Sequence, residues 1–261
     1  MIQRFGRHVT HIVISGTALL LASAPLAAQQ LGWSGSVEAS GNLLFGNAGD
    51  RLIAGRLQLG RADSTLEVRS DARLTYTEAA DDAGKRRVTG RTSLASLALD
   101  YAPFFRYSPF WFGSIESSLQ QRIARRFSTG VGTKLTFYRR KEDDASVSVA
   151  LLAENTRALR TDDPAGVDSA ESSWRGRWSF RGRVRQNLNE TVRFTHTTFY
   201  QPSASRIDQY TVTSTSTLAA NLTSKVAMTF TFQDTYDSQA RERGARKNND
   251  GQVLFGVRAA F

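Results

Sequence analysis

The chain has 261 residues, with 34 Lys and Arg against 24 Asp and Glu, a formal net charge of +10, 40% hydrophobic residues, 5 prolines and no cysteine. This length supports one large domain, the composition excludes a disordered or collagen-like chain, and without cysteine there is no disulfide scaffold, thiolate nucleophile, Cys-ligated zinc, iron–sulfur cluster or lipidated N-terminal cysteine. A mean hydropathy of −0.35 argues against a bundle of spanning helices, but not against a membrane β-barrel, whose strands are half polar by construction.

Arg4 and Arg7 give a basic start with no acid before Glu38, followed by an apolar run from Ile12 to Leu21 and small residues around Pro25. This order predicts a secretory signal peptide over residues 1–28, cleaved after Ala27 or Ala28, and a mature domain over 29–261. The apolar core is short for a spanning helix of about 20 residues. The mature part keeps a charge of +8.

Period-two alternation then runs to the C-terminus. Strands are expected at 33–44, 51–60, 65–77, 91–104, 110–121, 129–139, 146–158, 172–186, 191–200, 209–220, 224–235 and 251–261. In the third, Leu66, Val68, Ala72, Leu74 and Tyr76 oppose Glu67, Arg69, Asp71 and Arg73. In the sixth and seventh, Val131, Leu135, Val147, Val149 and Leu151 oppose Lys134, Ser146, Ser148 and Glu154. The eighth is the sharpest: Trp174, Trp178, Phe180 and Val184 oppose Arg175, Arg177, Ser179, Arg181, Arg183 and Arg185. Successive side chains of a strand point to opposite faces, so this segment has one apolar and one guanidinium face, whereas on a helix these arginines would spread around the cylinder. In the last strand Val253, Phe255, Val257 and Phe261 form the apolar face.

Twelve is an even number, and the segments reach the ~9–11 residues that cross a bilayer at a tilt. The longest connections (78–90, 159–171, 236–250) fall at one end, with 45–50, 122–128 and 201–208 moderately long. The short turns (Ala62-Asp63-Ser64, Tyr107-Ser108, Glu142-Asp143-Asp144, Leu188-Asn189, Leu222-Thr223) fall at the other. That asymmetry is expected of an outer-membrane barrel with both termini in the periplasm. A soluble sandwich would have shorter strands and an apolar face dominated by Val, Ile and Leu. Here aromatics gather near strand ends: Trp33, Tyr101, Phe104, Phe105, Tyr107, Phe110, Trp111, Phe112, Phe199, Tyr200, Tyr236 and Phe261. They are expected to form interfacial girdles. The fold expected is therefore all-β: a transmembrane, antiparallel, up-and-down β-barrel of about 12 strands in the bacterial outer membrane.

With the apolar parity turned to lipid, the interior is basic. Its ladder is Arg175, Arg177, Arg181, Arg183 and Arg185, with Arg193 on the next strand; Arg56, Arg69, Arg73, Lys134 and Arg258 share the inward parity. The inward acids are Glu38, Glu67, Asp71, Asp100, Glu116 and Glu154, with Glu154 a candidate partner for the ladder. An arginine-lined lumen favours anions, so a narrow anion-preferring channel is the first expectation. A non-conducting structural or envelope-stress barrel, with arginines and carboxylates locking a filled interior, is the second. Nucleic acid is not expected, because the basic residues alternate along strands instead of forming a surface patch. The run Arg241, Arg243, Arg246 and Lys247 reads as an outer loop that is solvated or touches anionic headgroups.

The mature chain has one histidine, His196, with the lipid-facing parity of Val192 and Phe194. A serine beside it, Ser214 or Ser216, would suggest a lipid acyl hydrolase, which needs the serine hydroxyl on the imidazole and a third group orienting it. No motif marks such a set, and no metal spacing, phosphate loop or cofactor signature is present. No enzyme, metal or cofactor is expected.

Gly32-Trp33-Ser34-Gly35-Ser36-Val37 followed by Gly46-Asn47 resembles the opening of domain-of-unknown-function family 481, the salt-induced outer-membrane protein family. The segment Arg125-Arg126-Phe127-Ser128-Thr129-Gly130-Val131-Gly132, after the aromatic strand Phe110 to Gly113, is similar to its central region. The resemblance covers nearly all of 31–261, although Gly46-Asn47-Ala48-Gly49-Asp50 departs where a Ser or Thr is expected after the Asn. The end at Phe261 resembles the C-terminal signal read by the barrel-assembly machinery. The resemblance implies an outer-membrane barrel in contact with lipid and supplies no catalytic residues.

Overall fold

A computed structural model describes residues 32–43, 51–80, 85–159 and 172–261. The signal peptide expected at 1–28 lies outside the described residues, as do 44–50, 81–84 and 160–171. The described residues form twelve strands: β1 (Trp33–Leu43), β2 (Arg51–Ala62), β3 (Leu66–Ala80), β4 (Arg86–Tyr101), β5 (Tyr107–Ser118), β6 (Ile123–Arg140), β7 (Asp143–Ala158), β8 (Ser173–Asn187), β9 (Val192–Pro202), β10 (Tyr210–Asn221), β11 (Val226–Asp237) and β12 (Asn249–Ala260). Each pairs antiparallel with its neighbour in sequence, and β1 closes on β12 through Val37↔Ala259 and Ala39↔Val257. No helix among the described residues is long and apolar enough to cross a membrane, so crossing falls to the strands. Closure pairs the backbone polar groups and leaves no sheet edge to lipid.

The two faces are inverted relative to a soluble protein. Leu74 is 66% exposed, Val131 63% and Phe255 60%, while Lys134, Glu154 and Arg177 are buried. Such an apolar belt around a charged interior is stable only where the surroundings are acyl chains. The protein is an outer-membrane barrel. At the end of the longer connections, Tyr200, Tyr210 and Tyr236 pack at centroid separations of 5.7 and 5.5 Å, with Phe180 against Tyr200, and form part of a girdle. At the short-turn end Tyr101, Phe104, Phe105 and Tyr107 are exposed.

Three aromatics depart from the expected girdles. In Phe110-Trp111-Phe112, Trp111 pairs with Leu99 and Val131 on the outer face, so period two turns Phe110 and Phe112 inward. Phe199, cross-strand from Arg181, also faces the lumen. The strand bounds differ too. β4 begins at Arg86 and β6 at Ile123, where basic runs suggested loops; their ladders continue, with bulges at Thr77/Glu78 and Ile123/Arg125, on β6 because the polar parity has a polar lumen to enter, and on β4 as an exposed ribbon paired with β3 beyond the start of the β4–β5 ladder.

The short turns are closed by side-chain acceptors. The Asp63 carboxylate accepts from the Leu66 and Thr65 amides, both at 2.8 Å, which holds its carboxyl below the ordinary value. Asn189 does the same for Thr191 and Val192. Phe261 finishes the closure seam by exchanging backbone hydrogen bonds with Gly35 at 2.9 and 3.0 Å, its ring lying where a Gly35 side chain would be. Val253, Phe255 and Val257 share its outward face.

Inward-facing glycines mark two sharp bends. A Cβ at Gly130 or Gly132 on β6 would overlap the carbonyl oxygens of Leu151 or Val149 on β7, and one at Gly256 on β12 would lie 2.7 Å from Ser40 Cβ. The β6/β7 and β12/β1 seams, where neighbouring strands approach this closely, are half a circuit apart. Gly130→Val should cost about 1–3 kcal/mol from overpacking, read as a lower midpoint for the shift between folded and unfolded electrophoretic mobility in a urea series.

Candidate functional site: the charged lumen

Alternation puts the ion pairs inside, and strand register decides which ones form. On the β2–β3 wall Asp71 accepts from Arg56 Nε and Arg73 Nε, both at 2.6 Å. On the β3–β4–β6 side Asp100, almost fully buried, accepts from Arg69 Nη2 at 2.7 Å and Lys134 Nζ at 2.5 Å; Glu67 lies 3.6 Å from Arg69. Glu38 accepts from Thr229 Oγ1 at 2.7 Å beside the closure seam. Toward the periplasmic rim Arg185 pairs with Asp144 at 2.6 Å, and Arg193 bonds Glu142 and Asn187.

The outer mouth is crossed. Arg126 on β6 donates from Nη2 to Asp237, at the end of β11, at 3.0 Å, a contact between nearly opposite walls. Arg243, from the β11–β12 connection, donates to the same carboxylate at 2.7 Å and to the Gln121 carbonyl at 3.1 Å. Arg126 also lies 3.5 Å from Glu116 and 3.8 Å from Glu154, and Glu154 pairs with Arg177 at 2.9 Å. Arg175 donates to Gln239 at 2.7 Å and Gln209 at 3.0 Å. Three carboxylates (Glu116, Glu154, Asp237) thus meet three guanidiniums (Arg126, Arg177, Arg243). The connection folds inward over the mouth, with Ala240 and Ile123 wholly buried. Arg243 therefore belongs to this network and not to a solvated or headgroup-facing loop. Beside it, a cavity of about 620 Å³ opens between Gln120, Arg122 and Arg246.

Deeper in the lumen two arginines stand without a direct ion pair. Arg181 has no carboxylate within ion-pair distance among the described residues; its guanidinium lies 5.9 Å from the Phe110 ring centre and 6.0 Å from that of Phe199. Arg183, two residues along the same face, also has no ion pair there. The residues of the ladder therefore part company: Arg175 and Arg177 build the mouth, Arg185 and Arg193 brace the periplasmic rim, and Arg181 and Arg183 are left over. Sequence reading missed Arg126, Asp144 and Asp237 as lumen groups because each sat in a segment read as a connection. The parity running back from Gly130 through Ser128 to Arg126 was the available signal.

On the outer face, His196 Nδ1 lies 2.8 Å from Ser216 Oγ and Nε2 lies 2.9 Å from Thr198 Oγ1, which is 3.2 Å from Ser214 Oγ. The serine–imidazole contact required of an acyl hydrolase is present. Acyl transfer also needs donors aimed at the developing oxyanion, and in this part of the wall the backbone amides are engaged in the β8–β9–β10 ladders. The chain of hydroxyls satisfies the imidazole within an apolar belt. Among the described residues no cluster of His, Cys, Asp and Glu could hold a metal ion.

The sequence profile of a family described as protein of unknown function, DUF481, matches residues 37–261. Curated protein sequences contain no match. Solved structures similar in fold include the KdgM porin in complex with disordered oligogalacturonate (11% identity, 87% of this chain and 99% of that one, TM-score 0.43). The NanC porin is similar at 10% identity, 86% and 97% coverage and TM-score 0.47. The translocator domain of the autotransporter NalP from Neisseria meningitidis is similar at 9% identity, 90% and 92% coverage and TM-score 0.43.

Asp237→Ala removes the carboxylate on which Arg126 and Arg243 converge. Breaking one partner of a buried pair costs about 3–5 kcal/mol, enough to release the connection. Trypsin added to intact cells should then cut between Arg241 and Lys247 at least about tenfold faster than in the wild type, because the site is open more of the time.

Proposed function

Because the chain belongs to the DUF481 family and folds as a closed outer-membrane barrel, we propose that residues 29–261 form a channel-like barrel with a narrow, anion-preferring passage closed at its outer mouth by the β11–β12 connection. The observation that carries this reading is the pair Arg181 and Arg183, facing the lumen without a directly paired carboxylate among the described residues, in a barrel whose other lumen arginines largely have one. Same-face neighbours on a strand are about 7 Å apart, so two guanidiniums there repel by about 2 kcal/mol at an effective dielectric near 20. An anion between them removes that cost, and a cation adds to it. Small anions are the solutes that this lumen admits, acyl lipid is its outer surroundings, and Val253, Phe255, Val257 and Phe261 are the outward face offered to the barrel-assembly machinery.

In planar bilayers under a KCl gradient the reversal potential should take the sign of chloride permeation, and Arg181→Gln/Arg183→Gln should bring it toward zero. A cation-selective wild type would contradict the reading.

The crossed mouth favours a second reading, a barrel that holds its shape and conducts nothing. If neither the wild type nor Asp237→Ala gives current steps, that reading stands. We read the His196 chain as structural. His196→Ala should therefore cost about 1–2 kcal/mol of stability through two lost hydrogen bonds and leave phospholipid turnover in proteoliposomes, already at the level of protein-free vesicles, unchanged.

A further inference from the structure

We propose that Arg181, clasped between Phe110 and Phe199, is a recognition site for ring-bearing organic carboxylates in preference to small anions, an inference that rests on anions reaching the lumen. The guanidinium comes from β8, and its two aromatic neighbours come from β9 and, three strands away, from β5. Rings against a guanidinium hold it through its face and shield that face from water. Its N–H edge is what remains, and that edge matches a carboxylate with two parallel hydrogen bonds. Elsewhere in the lumen the same edge is taken: Asp71 fills it for Arg56 and Arg73, Asp100 for Arg69, and Glu154 for Arg177.

The wall between the three residues is low. Arg181 pairs with Ser148 on β7, and Phe110 pairs with Gly132 on β6, which in turn faces Ala150. Gly132 cannot carry a larger side chain, since a Cβ there already overlaps the Val149 carbonyl. A serine, a glycine and an alanine thus line the wall beside two phenyl rings and a cation, and Lys134, the cross-strand partner of Ser148 on β6, is turned to Asp100. Chloride and acetate use the cation alone. A ligand with a flat apolar ring also packs on the phenyl surface that the guanidinium leaves uncovered, offset or edge to face, as aromatic pairs favour. Arg183 offers a second cation two residues away on the same face, within reach of a second carboxylate.

The test is equilibrium binding of sodium benzoate and sodium acetate to the purified, detergent-solubilised barrel by calorimetry, with the reversal potential measured in parallel. Benzoate should bind the wild type about tenfold more tightly than acetate. Phe110→Leu/Phe199→Leu should bring the two affinities together while leaving acetate binding in place, and Arg181→Gln should abolish both. Equal affinities of benzoate and acetate for the wild type, or benzoate binding that survives Arg181→Gln, would overturn the proposal. If Arg181→Gln does not fold by electrophoretic mobility, the phenylalanine pair alone decides. Binding in detergent does not depend on conduction. A cation-selective reversal potential with benzoate preference intact therefore removes the passage, whereas an anion-selective one with equal affinities removes the aromatic site.

Discussion

Every feature of this barrel descends from the requirement that no backbone amide or carbonyl be left unpaired in hydrocarbon. Strands meet it only by closing, and β1 on β12, with the Phe261 main chain paired to Gly35, completes the circuit. Closure divides the side chains into two populations by parity. Lipid selects the apolar one outward, and the charged residues must then share a confined interior. The lumen network is thus a consequence of the outer face. It needs carboxylates to oppose its arginines because water alone cannot solvate them there.

That compensation is uneven along the barrel axis, and the unevenness is informative. Asp71 and Asp100 each hold two cations, and the mouth sets Glu116, Glu154 and Asp237 against Arg126, Arg177 and Arg243. These pairs immobilise the wall but contribute little net field. Arg181 is positioned by aromatic faces, which hold a cation without neutralising it. A filled barrel needing only rigidity gains nothing from an uncompensated guanidinium in its middle. The proposed anion passage does, because it must attract an anion without trapping it.

The strand count, the inward parity of β8 and the outward parity of its tryptophans were legible because period two is a local signal. The Arg-x-Arg runs between Trp174 and Arg185 admit no helical reading. Pairing across the lumen was not legible. Asp237 and Arg126 are 111 positions apart, and their meeting depends on how a twelve-stranded wall closes and on where the β11–β12 connection folds. Composition also misled locally. Arg125-Arg126 and Lys85-Arg86-Arg87 looked like connections, since dense charge in a chain normally means solvent; a polar lumen accepts Arg126 within a strand, whereas Arg86 and Arg87 are indeed exposed but on a strand that continues past the closed wall. Phe110 and Phe112 were misplaced for the converse reason: clustered aromatics near a strand end suggested a girdle, although strict alternation allows only Trp111 to face lipid.

The order of these elements along β8 sets a direction. The strand descends from the outer mouth, so Arg175 and Arg177 sit among the glutamines and carboxylates that seal it, Arg181 and Arg183 come next, and Arg185 meets Asp144 near the short turns. With the mouth shut, the uncompensated positive charge faces the periplasmic half of the lumen. Matched pairs lie on both sides of it, Arg185 with Asp144 and Arg193 with Glu142 toward the periplasm and the crossed network toward the outside. The seal and the site are also mechanically linked, because Arg177 and Arg181 lie on one strand face with Ser179 between them, and Gln201, whose carbonyl accepts from Arg177, is two residues from Phe199. The Glu154–Arg177 pair is thus joined to the Arg181 guanidinium and to the Phe199 ring along β8 and β9 with no loop between.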